Sequence, residues 1–348
     1  MDIGVGLDAT LNLSLQEQAV LSAEAVRLGY TSVWTPEGTG HDAFQLCVLR
    51  WAGSRAAQPE GVLTGIAVSP VALRTPVALA MSAGTLGELT GGRFILGIGA
   101  GGVYQARYRR SLGLARFSSL ALMRDYLVTL RALLAGERVS YEGHAIRLHG
   151  VQLGIRPPHT PVYLGALGPE MLRLGGELAD GVVLNWCTAE QVAWSRDRVA
   201  EGAARAGRDP ATVKVIEYIR VCVDEDPDRA RRAFARAVLA YALGAQVPRA
   251  RERRLGYRAH FERMGFGEAL ARLDGMRQRG ASSEELVDAF PTDLLQRVGY
   301  YGPAAGAAEA FRRLAQGLDL AIVRVVAARP GIEAVRAVMH ACRPDRVL

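Results

Sequence analysis

Residues 93–102 read Arg93-Phe94-Ile95-Leu96-Gly97-Ile98-Gly99-Ala100-Gly101-Gly102, an apolar run that passes without a break into glycine. Gly97, Gly99 and Gly102 have the spacing of the dinucleotide fingerprint. That fingerprint belongs to the first strand–helix unit of a doubly wound sheet, with an acid about 20 residues further on. Position therefore decides the fold. Residues 3–7 already read as a strand, followed by a helix over 14–28 that opens with Ser14 and Glu17 at capping-box spacing. Apolar strands at 31–35 and 62–68 come next, with helices over 42–57 and 76–89; Pro76 opens the last and Gly91-Gly92 closes it. The run at 93–99 is thus a fourth strand. Its glycines offer close backbone approach and exposed N–H groups to a flat ring or an anion.

The same rhythm continues after a pause. A long amphipathic helix spans 117–134, and 139–141 with 145–148 predict a hairpin around Glu142-Gly143. Strands resume at 162–164, 182–185, 213–223 and 320–326, with helices at 169–179, 188–206, 227–243, 303–316 and 333–340. Residues 246–301 are helical or irregular and highly charged, and read as an insertion rather than a domain. Eight near-continuous apolar strands alternating with helices predict a (β/α)8 TIM barrel, one domain over 1–348 with a helical insertion late in the barrel at about 246–301. The rival is a doubly wound sheet. In a barrel the chemistry belongs at the C-terminal ends of the strands.

Composition narrows the class. The chain has 348 residues, 49% hydrophobic and 22% charged, which excludes disordered and collagen-like chains. No apolar run approaches the roughly 20 residues of a membrane helix, and Asp2 stands where a signal peptide needs basic residues. Cys47, Cys187, Cys222 and Cys342 are scattered, which argues against zinc or a disulfide framework. The expectation is a cytoplasmic protein with no membrane partner. Net charge is +7, and Lys214 is the single lysine beside 41 arginines. Arginine clusters at 107–110 and 249–254 read either as solvated helix faces or as a landing site for a small polyanion. Neither lies in a nucleic-acid-binding motif.

The strand ends carry the candidates. After the second strand, Glu37, His41 and Asp42 lie among small residues, suited to a proton relay or a polar ring-binding face; alternatively Asp42 only caps the next helix. The third strand exits through Ala67-Val68-Ser69-Pro70, consistent with a ligand approached by backbone. After the fifth, Gly165-Ala166-Leu167-Gly168-Pro169 starts a helix whose free N–H groups form an anion site, or else is a plain turn. The sixth ends in Asn185-Trp186-Cys187-Thr188, and no hydrolase or P-loop motif is present.

The glycines at 97–101, the stretch Thr160-Pro161-Val162-Tyr163-Leu164-Gly165-Ala166-Leu167-Gly168-Pro169-Glu170 and the run 177–185 together resemble the luciferase-like flavin and deazaflavin oxidoreductases. The similarity is greatest to coenzyme F420-dependent methylenetetrahydromethanopterin reductase and covers residues 1–245 and about 295–342. The resemblance implies a TIM barrel, usually a homodimer, and a cis peptide at Ala67–Val68 under the cofactor ring. It places the cofactor phosphate at Leu167 and Gly168. The implied cofactor-binding residues are Ala67, Val68, Gly99, Gly101, Gly102, Val103, Gly165, Ala166, Leu167, Gly168 and Asn185. Glu37, His41 and Asp42 remain the candidate catalytic residues. Where many relatives carry an Asp-His pair, this chain has Glu37-Gly38, with His41 three residues on. Sugar-phosphate dehydrogenase relatives carry an acid where this chain has Gly102, which disfavours that substrate class.

The expected function is hydride transfer between F420 and a small organic substrate: an imine, an enone or a pterin-bound carbon unit. The oligoglutamyl tail of F420 gives the arginine excess a partner. The alternatives are an FMN-dependent monooxygenase on the same barrel and a noncatalytic cofactor carrier.

Overall fold

The computed structural model describes residues 1–103, 105–244 and 255–348. Eleven strands are described in chain order: β1 (Asp2–Gly6), β2 (Ser32–Thr35), β3 (Leu63–Pro70), β4 (Phe94–Gly99), β5 (Val139–Glu142), β6 (Arg147–Val151), β7 (Val162–Gly165), β8 (Gly181–Asn185), β9 (Lys214–Val223), β10 (Gly299–Gly302) and β11 (Leu320–Val325). Eight of them close a parallel barrel in the order β1-β2-β3-β4-β7-β8-β9-β11, with β11 returning to β1. The fold is the (β/α)8 barrel, not the doubly wound sheet.

The lumen is packed by side chains at two-residue intervals. Trp34, Ala67, Ile95, Tyr163, Val183, Ile216, Tyr218, Leu320 and Ile322 fill it. Two rings are too large for a uniform layer, so facing strands supply glycine. A Cβ on Gly65 would collide with the Trp34 ring, and one on Gly6 would stand 2.6 Å from Tyr218 Cε1. The outer faces of the strands pack against helices in a second, larger core that includes Val5, Val33, Leu96 and Val323.

The helices begin where the sequence supplies caps. Ser14 and Glu17 form the predicted capping box of α1 (Leu15–Arg27). Asp42 accepts the N–H groups of Phe44 and Gln45 at 3.0 Å to start α2 (Ala43–Ser54). Thr75 caps α3 (Pro76–Leu89), with Pro76 at the first turn.

Three local expectations are corrected. The second hairpin strand is Arg147–Val151, not 145–148. The Asp125 carboxylate takes the N–H groups of Ala145 and Ile146 at 2.6 and 3.1 Å, pulling those residues into the turn. A short helix, α4 (Ala106–Ser111), precedes α5 (Ser119–Leu134). Finally, the predicted insertion ends in a strand: β10 pairs with Arg220–Val223 of β9, beyond the reach of β8, whose pairing ends at Tyr218.

The helices that follow on the barrel are α6 (Pro169–Leu178), α7 (Ala189–Arg205) and α8 (Pro227–Ala242), and after the insertion the helices Ala307–Leu314 and Ile332–Ala341. From Gly256 to Gln296 the chain is a set of short helices around Phe261, Phe266 and Phe290, which pack with Phe234 of α8 against Trp186. The arginine cluster at 249–254 lies outside the described residues. Among the described residues no helix is long and apolar enough to cross a membrane, and no side-chain cluster suits a metal.

Candidate active site

The C-terminal mouth of the barrel gathers most of the candidates. Glu37 lies just beyond β2 and is buried. Its backbone N–H donates to the Val68 carbonyl at 3.2 Å, which fixes the β2 exit against the β3 exit. The Ser69 hydroxyl donates to Glu37 Oε2, and Arg74 Nε and Nη2 donate to Oε1 at 3.2 and 2.5 Å. The same Arg74 Nη2 is ion-paired with Asp42. Burial opposes ionisation of Asp42, but the Gln45 N–H, Arg74 and the Phe44 N–H hold its carboxyl below the usual range. Glu37 and Asp42 are therefore brought together by one guanidinium, which itself lies over the Phe44 ring. His41 is exposed and joins neither acid.

At the β3 exit the Ala67–Val68 peptide bond is cis, at the place the resemblance implies, and the β3–β4 register shifts between Ile66 and Ser69. Glycines clear space around the Val68 side chain: a Cβ on Gly99 would stand 2.6 Å from Val68 Cγ2, and one on Gly165 would stand 3.1 Å from Cγ1. Gly101 has φ +56°, a conformation that favours glycine, and sits over Pro70. Gly102 leaves room for the Tyr108 ring, and Val103 is buried with its carbonyl accepting from Arg109 at 2.6 Å. Arg107 and Arg110 are exposed, as a solvated face requires.

The turn from β7 into α6 has the form of an anion site. Gly168 is the N-cap residue, no side chain caps the helix start, and Pro169 occupies the first turn. The first N–H groups of such a helix have no intrahelical acceptor. A Cβ on Gly168 would meet nothing within 4 Å, so open space lies beside it. Arg263 lies beside the same turn, donating to the Leu167 carbonyl at 3.2 Å, with its guanidinium 4.9 Å from the Trp194 ring. Ala166 donates to the Val183 carbonyl at 3.2 Å, tying the turn to β8.

Asn185 closes the far side. Its amide donates to Tyr257 Oη at 2.5 Å, and its Oδ1 accepts from Arg220 of β9. The Arg220 guanidinium lies 3.8 Å from the Trp186 ring and 5.2 Å from that of Tyr241. Trp186 has φ +58°, rare for a bulky residue. On the outer face of β9, Glu217 accepts the Cys187 N–H at 2.7 Å. Burial pushes its carboxyl up to about 8, against the opposing Cys187 hydrogen bond and Arg220. Burial likewise drives the Cys187 thiol up, which makes it a poor nucleophile.

Arg74, Ser69, Arg220 and Arg263 were not among the sequence candidates. A signal existed for Arg220: it follows Ile216 and Tyr218 at two-residue steps on one strand and so had to face the lumen. Arg263 carries no such signal, because it enters from the insertion.

The family profile described as luciferase-like monooxygenase matches residues 3–321. The chain is 32% identical over 231 residues to a 5,10-methylenetetrahydromethanopterin reductase of Archaeoglobus fulgidus, covering 64% of this chain and 68% of that one. It is 29% identical over 314 residues to the enzyme of the same name from Methanolobus tindarius, covering 88% of each. Among solved structures, the coenzyme F420-dependent tetrahydromethanopterin reductase from Methanopyrus kandleri superposes with a TM-score of 0.77 at 20% identity over 99% of both chains. That likeness is one of fold. The chain belongs to the luciferase-like monooxygenase family.

Proposed function

We propose that this protein is a coenzyme F420-dependent oxidoreductase that transfers a hydride between the deazaflavin and a small organic substrate. One observation carries the reading: a glycine-cleared shelf at Val68 shares the barrel mouth with an uncapped helix start that has open space at Gly168 and Arg263 beside it. A flat ring with a phosphate-bearing tail fits those two features, and the reductases most similar in sequence support the choice of cofactor.

Ala67 and Val68 would support the ring from below, with Gly99, Gly101, Gly102 and Val103 on one side and Asn185 on the other. Gly165, Ala166, Leu167 and Gly168 would hold the phosphate through backbone N–H groups. When bound, the deazaflavin supplies two-electron hydride transfer and reacts poorly with oxygen. Glu37, ion-paired to Arg74, is an acceptor at Oε2 and suits a group that orients a donor on ring or substrate. Asp42 would act on it through Arg74, while exposed His41 is free to approach from solvent. The substrate is an imine, an enone or a pterin-bound carbon unit.

The protein acts as a homodimer in this reading. The outer face of α3 exposes two large apolar side chains, Met81 at 56% and Leu89 at 48%, beside Thr85 and Glu88, and Leu73 just before the helix adds a third. A cytoplasmic location accords with a reduced cofactor and four free, buried cysteines.

Anaerobic consumption of reduced F420 across a panel of those substrate classes tests the proposal. Turnover without oxygen supports it. Turnover that needs reduced FMN and oxygen would assign a monooxygenase instead, and F420 binding with no turnover would assign a carrier.

A further inference from the structure

Arg220 of β9 and Arg324 of β11 lie opposite one another in register. Each continues the inward series of its strand: Ile216 and Tyr218 precede the first, Leu320 and Ile322 the second, and all four line the lumen. The two arginines are 3% and 4% exposed. Buried cations on neighbouring strands are costly unless each has a countercharge.

Arg324 has one. Asp8, just beyond β1, is ion-paired with its Nη2. Arg220 has no ion-paired carboxylate: among the described residues its side chain hydrogen-bonds the Asn185 amide oxygen, the Tyr218 carbonyl and the Tyr241 hydroxyl and lies over the faces of Trp186 and Tyr241, with Glu217 the acid that acts on it electrostatically. The neighbouring Glu217 faces the other side of the strand, where one oxygen accepts the Cys187 N–H and the other has no partner; burial pushes its carboxyl up to about 8, so near neutral pH it holds its proton and is not a full countercharge.

Two further polar atoms are left without a partner in this layer, Arg324 Nη1 and Tyr218 Oη, both buried. They belong together, because the Arg324 guanidinium lies 5.2 Å from the Tyr218 ring centroid. Gly6 makes the room, since a Cβ there would stand 2.6 Å from Tyr218 Cε1 and 3.3 Å from Arg324 Cδ. The top layer of the lumen thus holds one positive charge without a full countercharge and two unpartnered donors.

We propose that this layer recognises the substrate and that the substrate is a monoanion, its carboxylate held by Arg220 with Arg324 Nη1 and Tyr218 Oη. The assignment rests on the hydride-transfer reading above and narrows it to carboxylate-bearing imines or enones. Charge counting selects the class. Asp8 already neutralises Arg324, so the layer offers one charge, which matches a carboxylate; a phosphate monoester carries about −1.5 to −2 near neutral pH. The planar guanidinium fork also suits a carboxylate.

The test is calorimetric titration of the full-length protein, with and without F420. The probes are benzoate against benzamide, 2-oxobutanoate against 2-oxobutanamide, and inorganic phosphate. At least one carboxylate should bind tenfold or more tightly than its amide, with phosphate no tighter than that acid. Arg220→Gln should erase the difference; because Arg220 also holds Asn185 Oδ1, its F420 dissociation constant is measured in parallel, and F420 affinity should fall by a smaller factor than carboxylate affinity. Arg220→Lys keeps the charge and loses the fork, so it should retain a reduced preference and remain informative if the glutamine variant fails to fold. Acids binding no better than amides, a preference that survives in Arg220→Gln, or phosphate binding tenfold tighter would overturn the inference. Carboxylate preference in protein that does not bind F420 would reject the cofactor reading alone. F420 binding without that preference would reject this inference alone.

Discussion

Arg74 Nη2 lies 2.5 Å from Glu37 Oε1 and is ion-paired with Asp42 as well, so a single side chain from the start of α3 joins the acid at the β2 exit to the acid that caps α2. The loop 36–42 is thereby fixed at both ends. Glu37→Gln keeps the Ser69 hydrogen bond but loses the charge that holds Arg74. Single-turnover hydride transfer at saturating F420 should fall roughly 100-fold or more, the scale of a lost acid–base or orienting contribution. Arg74→Met should fall as far and should also lose about 1–3 kcal/mol of stability, because it removes the shared cation and leaves Glu37 Oε1 without a donor, while Ser69 still serves Oε2 and the Phe44 and Gln45 N–H groups still serve Asp42. A Glu37→Gln rate within about threefold of the parent would remove Glu37 from the mechanism and direct attention to His41.

The turn into α6 makes a separate prediction. Gly168 has φ −91°, ordinary for any residue, and open space around its Cβ position, so Gly168→Val should fold normally. The new side chain would occupy the space assigned to the phosphate. F420 affinity should weaken at least tenfold, or about 1.4 kcal/mol, measured by fluorescence titration. Arg263→Gln should weaken it less and flatten its salt dependence. An unchanged dissociation constant in folded Gly168→Val would place the phosphate elsewhere.

Glu217 makes stability depend on pH. Burial raises its carboxyl from the ordinary glutamate range to about 8, so the folded chain holds a proton there that the unfolded chain releases. That contribution to stability is complete below about pH 4.5 and is lost as pH rises to about 8. Tm should therefore fall more steeply between pH 5.5 and 8.5 in the parent than in Glu217→Gln, whose amide oxygen still accepts the Cys187 N–H. Parallel curves would show that Glu217 does not titrate in this range.

Pairing of two copies through α3 is tested at Met81, 56% exposed on its outer face. Met81→Arg should shift the protein to monomer in sedimentation velocity without changing Tm by more than a few degrees, since the side chain has little to lose within its own chain. A dimer that persists in this variant would move the interface off α3.

Much of the barrel was legible because each strand advertises its own burial. Val5, Val33, Leu96 and Val323 alternate with lumen residues in near-continuous apolar runs, and caps such as Ser14, Thr75 and Pro76 mark the helix starts. The β10 strand was hidden: Gly299-Tyr300-Tyr301-Gly302 is short, follows a charged helical stretch, and is stabilised by an exposed edge of β9 rather than by its own pattern. At the mouth, backbone features could be read from glycine spacing, whereas charge pairing could not. Nothing in the spacing of Glu37, Asp42 and Arg74 shows that they meet, because a register shift in β3 and a turn after it bring Arg74 back over the β2 exit.

The central claim is that the shelf at Val68 and the turn at Gly168 together hold a deazaflavin. The direct measurement is fluorescence and absorbance titration of the parent protein with F420 and with FMN, repeated on Gly168→Val. The account predicts saturable F420 binding at one site per chain, affinity for FMN at least tenfold weaker, and loss of F420 affinity in the variant. Tight FMN binding with no saturable F420 binding, or F420 binding indifferent to Gly168, would contradict it.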